Sequence, residues 1–508
     1  GNWCQEHNIM LTGHMMSEWT LFSQTLTMGE AMRPLKNFQL PGIDMLCDKR
    51  ELSTAKQAQS VSHQYGRPGV MSELYGVTGW AFDFRGHKLA GDWQAALGVT
   101  TRVHHLTWMS MAGEGKRDYP ASIGYQSPWY TEYPLIENHF ARLNTALTRG
   151  KPHVKVGVIH PIESYWIYWG PQSQTADVRM ELENNFTNII DWLLYGLIDF
   201  DFISESLLAE SDSDGEGTGF AMGCMQYEAV VVPGCHTLRS TTFEKLKKFA
   251  DCGGKIIFAG DIPRYIDAKL SDEVRKLAAN CTCVPFSQTA ILSELEPYRD
   301  IDISVRNADK EDGTRVKHVE TGVRTNNMIY QMRDDGDSRW LFACHVNRMR
   351  NESIAYTEEL KITIKGEWKP ICYDTMTGEI YPVAAEYHEG NTIVTHYCSF
   401  HGSLLLKLEP GKAIEGRKSC YNIIPDEDKN YLPQPASISL SEPNVLLLDL
   451  AQYRFDDEED WQPEDELLRI DNKFRSRLGY PLRMEALAQP WVTESRPPVN
   501  TLHLRFTV

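Results

Sequence analysis

Apolar residues in the first 150 positions come in short runs with helical or loop material between them. Four of these runs read as strands: Asn8–Met16, Gln39–Leu46, Gly69–Leu74 and Arg102–Ser110. Between the third and fourth, HKLAGDWQAALG has apolar residues at helical spacing and a glycine where a helix C-cap belongs. Strands alternating with helices predict a parallel sheet joined by crossovers. Such sheets gather their chemistry at the C-terminal ends of the strands. This chain carries Glu18, Asp44, Glu73 and Trp108 there.

The pattern changes after residue 150. VKVGVIHP, FDFIS, YEAVVVPG and KIIFAGDIP read as buried strands, with ELENNFTNIIDWLLYGL and TTFEKLKKFADCGG as amphipathic helices between them. That rhythm predicts a doubly wound sheet over 151–290. SDSDGEGTG (211–219) reads as a solvated loop whose acids miss the calcium-loop spacing. From 291 to 410, RWLFACHVN, ELKITI, WKPICYD, EIYPVAAEY, NTIVTHYC and GSLLLKLEP are short strands with polar turns, which predicts a β-sandwich. NVLLLDLAQYRF, a helix-like EDELLRIDNKFRSRLG and a final alternating TLHLRFTV make 411–508 a linker and the start of a further β-rich domain. An opening on Gly1 just before a strand-like run, and an ending on another, suggest part of a longer chain.

Composition narrows the partners. The 51 Lys and Arg against 69 Asp and Glu leave a net charge of −18, a poor field for gripping nucleic acid or an anionic membrane. No apolar run approaches the roughly 20 residues of a membrane span, and no signal peptide opens the chain. The 11 cysteines are scattered; Cys281 and Cys283 form the only close pair, with nothing to complete a zinc pattern. Free thiols point to a reducing, cytoplasmic setting, and no metal or cofactor is expected. Of the 13 Trp and 22 Tyr, 8 Trp and 8 Tyr lie in the first 170 residues, where their flat faces and polar edges suit sugar rings as well as cores.

The motifs GHMMSE (13–18), PGIDML (41–46), MSELYGVTGW (71–80), RVHHLTWMSM (102–111), KRDYPASIGYQSPWY (116–130) and VGVIHPIESYW (156–166) carry a family likeness. This stretch resembles the C-terminal half of a (β/α)8 glycoside-hydrolase barrel. The domain after it resembles the flavodoxin-like trimerisation domain of family 42 β-galactosidases, and the C-terminal sandwiches resemble family 106 α-L-rhamnosidase-type hydrolases. The expected fold class is therefore α/β. It comprises a partial barrel over 1–148, a flavodoxin-like domain over 151–290, a β-sandwich over 291–410 and the β-rich start over 411–508. The resemblance implies that Glu73 ends the seventh barrel strand, the nucleophile position of that clan. The general acid would end the fourth, upstream of Gly1, unless Glu18 serves.

Glycoside hydrolysis needs two carboxyl groups, one to protonate the leaving oxygen and one to attack or activate water. Glu73 and Glu18 are the catalytic candidates. A strand-end salt bridge is the alternative for Glu73, and a helix-opening carboxylate that for Glu18. His14 and Asp44 can grip sugar hydroxyls or satisfy core contacts. Trp80, Trp108, Trp129 and Tyr130 can stack on sugar faces, whereas Trp93, at helical spacing, reads as packing. Lys116, Arg117 and Asp118 form a charged loop that either holds substrate or is merely solvated. The second domain also resembles class I glutamine amidotransferases, with Cys235 after a strand. Thr237 breaks the tight elbow such a nucleophile needs, so Cys235 is expected to be inert. The expected activity is glycosidase cleavage of a terminal sugar from a plant or microbial glycan. The partners are a carbohydrate substrate and, through the flavodoxin-like domain, further copies of the chain. The rival reading is an inactive or truncated carbohydrate-binding scaffold.

Overall fold

The computed structural model describes residues 1–46, 48–108, 123–125, 127–211, 219–309, 315–317, 322–348, 357–399, 401–412, 415–417, 448–456, 458–482 and 499–508, with residues 437, 439, 446 and 497. Its first sheet has four strands: β1 (Thr12–Gly13), β2 (Leu40–Met45), β3 (Val70–Leu74) and β4 (Val99–His104). They lie in that order and all run parallel. Alternation along β2 sends Ile43 and Met45 into the core and leaves Asp44 half-buried on the other face. Asp44 stands opposite Glu73 across the β2–β3 pair.

Two strand boundaries differ from the sequence reading. β4 begins at Val99 rather than Arg102 and ends at His104, because its ladder extends only from Val70 to Leu74 of β3. The first run, expected over Asn8–Met16, contributes only Thr12 and Gly13. Beyond them the chain turns out of the sheet, with Ser17 at φ 67°.

The helix Phe84–Ala96 forms where HKLAGDWQAALG predicted one. The Asp83 carboxylate accepts from the N–H groups of Arg85 and Gly86 at its start, and Gly98 at φ 89° reverses the chain beyond its end. Trp93 on this helix is buried, as its spacing implied. Gly91 lets the helix Pro134–Leu147 approach, since a Cβ there would lie 2.1 Å from the Phe140 ring.

A second helix, Leu52–Gln64, is polar in sequence yet almost wholly buried. It is wedged between β2 and the strand Phe200–Ile203. Its polar groups find partners there: fully buried Lys56 meets Asp199 at 2.5 Å, and His63 meets Asp201 at 3.0 Å. An apolar pattern alone does not reveal such a helix, because pairing rather than hydrophobicity makes its burial tolerable.

The second sheet is also wholly parallel. Val156–Ile159, Phe200–Ile203, Ala229–Pro233, Lys255–Ala259 and Thr282–Val284 lie in spatial order 2-1-3-4-5. The first three are buried throughout, as continuous apolar runs covered on both faces should be. The amphipathic segment expected from residue 181 belongs to a longer helix, Gln172–Tyr195. The two parallel sheets share one hydrophobic core, which also takes in Trp340 and Phe342 of the following domain.

That following domain has two antiparallel sheets. One contains Ile301–Asp309, Thr357–Lys365 and Asn391–Ser399; the other contains Met328–Asp335, Ser338–His345, Trp368–Tyr373 and Ser403–Pro410. EIYPVAAEY divides into two strands, Ile380–Pro382 and Glu386–His388, which join different sheets. Further on, Leu450–Phe455 pairs with Gln462–Glu466 and Leu502–Arg505 beside the helix Leu467–Arg477. No helix among the described residues is long and apolar enough to cross a membrane.

Candidate active site

The C-terminal ends of β1, β2 and β3 bring three predicted side chains together. His14 directly follows β1, and Asp44 and Glu73 each occupy the penultimate position of their strand. His14 Nε2 lies 3.1 Å from Glu73 Oε2 and 3.9 Å from Asp44 Oδ2. On its other side, His14 Nδ1 sits 2.8 Å from the Met15 carbonyl, to which it donates. Nε2 therefore faces two carboxylates and bridges them best when it carries a proton. Burial disfavours the charged ring. The Met15 carbonyl and the carboxylates of Asp44, Glu73 and Glu18 outweigh burial and raise the His14 pKa. Burial, reinforced by Glu73, likewise raises the Asp44 carboxyl above its usual range, with His14 acting against it.

No metal-binding spacing is visible in the sequence, but one ligand atom each from His14, Asp44 and Glu73 lies within 4.8 Å of the others. Those three groups can share either a cation or the proton of His14.

Glu18 is the buried carboxyl of the group. It is 4% exposed, and its Oε1 has no hydrogen-bond partner among the described residues. Burial raises its pKa, against the opposing pull of its own backbone N–H and His14. Glu18 and Asp44 both line a cavity of about 690 Å³ that also takes in Trp19, Glu51 and Asp191. Burial raises Glu51 and Asp191 as well.

The backbone beside both catalytic candidates is strained. Ser17, just before Glu18, and Tyr75 and Val77, just after Glu73, all have positive φ. A β-branched residue such as Val77 at φ 58° is held there only by its surroundings, and such strain clusters at functional sites. Gly76 is needed for a different contact: a Cβ would come within 2.5 Å of the His105 ring. His105 Nε2 in turn lies 4.0 Å from Glu73 Oε1. The motif RVHHL contains this histidine, but nothing in its spacing marked it as a neighbour of Glu73. Glu51 and Asp191 were missed because one directly precedes the helix Leu52–Gln64 and the other lies on the helix Gln172–Tyr195, far along the chain.

The remaining candidates lie elsewhere or are less closely tied to the cluster. Trp129 packs edge-on against Phe84, and Tyr130 is exposed. Trp80 is half-buried, its backbone N–H donating to Asp449 at 3.2 Å, and Trp108 is also half-buried. Lys116, Arg117 and Asp118 fall outside the described residues. Cys235 is buried, and burial pushes its thiol well above the ordinary range.

No family model and no curated protein matches the sequence. Among solved structures, the chain is similar to a rhamnosidase from Novosphingobium sp. PP1Y, with a TM-score of 0.58 and 15% identity. The match covers 90% of this chain and 41% of the rhamnosidase. A β-galactosidase from Bacillus circulans sp. alkalophilus matches with a TM-score of 0.43 and 14% identity, over 79% of this chain and 64% of that one. The chain thus spans about two fifths of the rhamnosidase whose fold it shares.

Proposed function

We propose that the chain is part of a glycoside hydrolase that removes a terminal sugar from a plant or microbial glycan. In this reading β1–β4 are the last four strands of a (β/α)8 barrel, and the sheet ordered 2-1-3-4-5 is a flavodoxin-like domain. Glu73 is the nucleophile or base, and His14 and Asp44 hold it and the sugar hydroxyls. Glu18 is the acid, since burial favours its protonated form.

The observation that carries the proposal is the convergence of His14, Asp44 and Glu73 at the C-terminal strand ends. A buried carboxyl, Glu18, lies close enough to raise the pKa of His14. The unlike surroundings of Glu18 and Glu73 suit the two different roles that glycosidic cleavage asks of its carboxyl groups. Trp80, Trp108, Trp129 and Tyr130 are proposed stacking residues, with Lys116, Arg117 and Asp118 as rim contacts.

The second reading is a carbohydrate-binding scaffold without activity of its own. It is favoured by the 41% coverage of the rhamnosidase and by a first sheet that has two edges, β1 and β4, among the described residues. Aryl glycosides of several sugars, offered to the chain alone and joined to upstream sequence, separate the readings. Turnover in either form supports the hydrolase. Saturable sugar binding with no turnover in both supports the scaffold.

A further inference from the structure

A second cavity, of about 600 Å³, lies at the opposite ends of the same strands. Gly69 and Gly98, the residues immediately before β3 and β4, form part of its wall, whereas Glu73 sits near the C-terminal end of β3. Further walls come from the end of the helix Leu52–Gln64 and the turn after it, from residues 150–155 and 224–228 leading into the inner strands of the second sheet, and from the strand Met328–Asp335. Its volume is that of an ordinary small-molecule site.

The charge of this lining runs against that of the whole chain. The protein carries −18, yet Arg67, Lys151, Lys155 and Arg333 face this cavity with only Glu228 and Asp334 as carboxylates. Of these groups Lys155 is paired with Asp300 at 2.5 Å; His153, also in the lining, is paired with Asp300 too and meets Asp334 as well. Burial lowers the His153 pKa, but hydrogen bonds to Asp300 at 3.2 Å and Asp334 at 2.8 Å more than reverse the effect.

The two arginines matter most, because both are anchored by main-chain carbonyls that leave their charge unneutralised. Arg333 donates to the carbonyls of Arg149 at 2.6 Å and Gly150 at 3.1 Å. Arg67 donates to the Lys36 carbonyl at 3.1 Å, and its buried Nε has no partner among the described residues. Burial brings Arg333 down to about 10 despite the pull of Asp335. A poorly solvated guanidinium of this kind gains from an incoming anion.

Gln331 completes the lining. It is 2% exposed, its side-chain oxygen has no hydrogen-bond partner among the described residues, and its amide NH2 is the donor it can offer an oxyanion.

We propose that this cavity binds a small organic molecule bearing a tetrahedral oxyanion, a phosphate or sulfate ester of sugar size, through Arg67, Arg333 and Gln331. The guanidinium forks match such a group in geometry as well as charge. The site is separate from the Glu73 cluster, and its occupancy does not depend on the hydrolase reading.

Isothermal titration tests it on the whole chain with five probes: glucose 6-phosphate, glucose 6-sulfate, inorganic phosphate, inorganic sulfate and glucose. The expected result is saturable binding of at least one ester, absent for glucose and weakened by salt. Comparing the esters with the inorganic ions shows whether the sugar contributes. Equal affinity for ester and bare ion keeps the oxyanion site but removes the sugar from the proposal. Arg333→Gln and Arg67→Gln, each checked for an unchanged unfolding transition, should weaken the ester by about tenfold or more. Lys276→Gln, a distant exposed cation, should leave it unchanged. No saturation by either ester up to about 10 mM overturns the proposal. So does glucose binding as well as its esters, or undiminished ester binding by both arginine variants.

Discussion

His14 Nε2 and Glu73 Oε2 lie 3.1 Å apart although 59 residues separate them in the chain. The contact spans two strand crossovers and depends on β1, β2 and β3 running parallel, with Asp44 opposite Glu73 and β1 ending at Gly13, opposite Pro41, just before His14. With Nδ1 committed to the Met15 carbonyl, Nε2 is left to the carboxylates. The raised pKa of His14 expresses that commitment. It also gives the site a pH dependence of definite sign.

A histidine whose folded pKa exceeds its unfolded value of about 6.5 stabilises the fold fully below that pH. The contribution disappears as pH rises through the raised value. Activity that needs the imidazolium to hold Glu73 should fall on the same alkaline limb. His14→Ala should lower kcat/KM by about tenfold to a hundredfold, the effect of losing one charge-assisted hydrogen bond, and should abolish the limb. A pH–rate profile of the variant with the limb intact would assign it to another group.

Glu18 predicts the opposite balance between stability and activity. Its folded pKa is raised by burial, so its contribution is full below about 4.3 and is lost as pH rises through the folded value. At neutral pH the neutral isostere in Glu18→Gln removes that burden. The variant should melt at the wild-type temperature or a few degrees above it, with hydrolysis reduced about a hundredfold or more. Unchanged hydrolysis would remove Glu18 from the acid role, and a lower melting temperature would make it a structural residue.

Asp92 anchors the helix Phe84–Ala96 to two other elements. It meets Lys88 at 2.5 Å and His139 at 2.6 Å, and Lys88 continues to Ser403 Oγ at 2.8 Å in the antiparallel domain. Burial alone would raise this carboxyl, but Lys88 and His139 outweigh it and hold the pKa at about 2. The stabilisation is therefore present above about pH 4 and lost as pH falls through about 2. Asp92→Asn leaves Lys88 without its buried carboxylate and should cost about 3–5 kcal/mol in urea unfolding. A cost under about 1 kcal/mol would reduce the cluster to the value of a surface pair.

Cys235 should be inert. It is buried, and burial raises its thiol far from the range of a reactive thiolate. Cys235→Ala is expected to keep any hydrolysis within about twofold, since the loss is one small packing group. Glutamine-dependent ammonia release that vanishes in Cys235→Ala would reinstate the amidotransferase reading.

The parts of this molecule legible in the sequence are those governed by apolar pattern. β2, β3 and four of the five strands of the second sheet lie close to the apolar runs that predicted them, since strands covered on both faces are largely apolar; the fifth, the half-buried edge strand Thr282–Val284, has no such run. Asp44 and Glu73 were legible together because position at a strand end is a sequence property once the sheet is parallel, whereas His14, named as a separate candidate, was not marked as their neighbour. Polar features that depend on distant partners were not. The helix Leu52–Gln64 is buried through pairs such as Lys56–Asp199, and no local pattern announces a partner 143 residues away. Asp191 reaches the cavity beside Asp44 from the second domain, and His105 nears Glu73 through space left by Gly76. The short β1 was overread because its apolar run continues into a turn that Ser17 makes in the left-handed region.

The central claim is that Glu73 is the essential carboxylate of a glycosidase. It is tested most directly by comparing aryl-glycoside hydrolysis by wild type and Glu73→Gln, each joined to upstream sequence, with folding followed by circular dichroism. The amide keeps the side chain's size and can neither attack nor act as a base. A folded variant with hydrolysis reduced about 10³-fold or more is the predicted result. A folded Glu73→Gln that still turns over substrate contradicts the account, and a variant that no longer folds makes Glu73 a structural partner of His14.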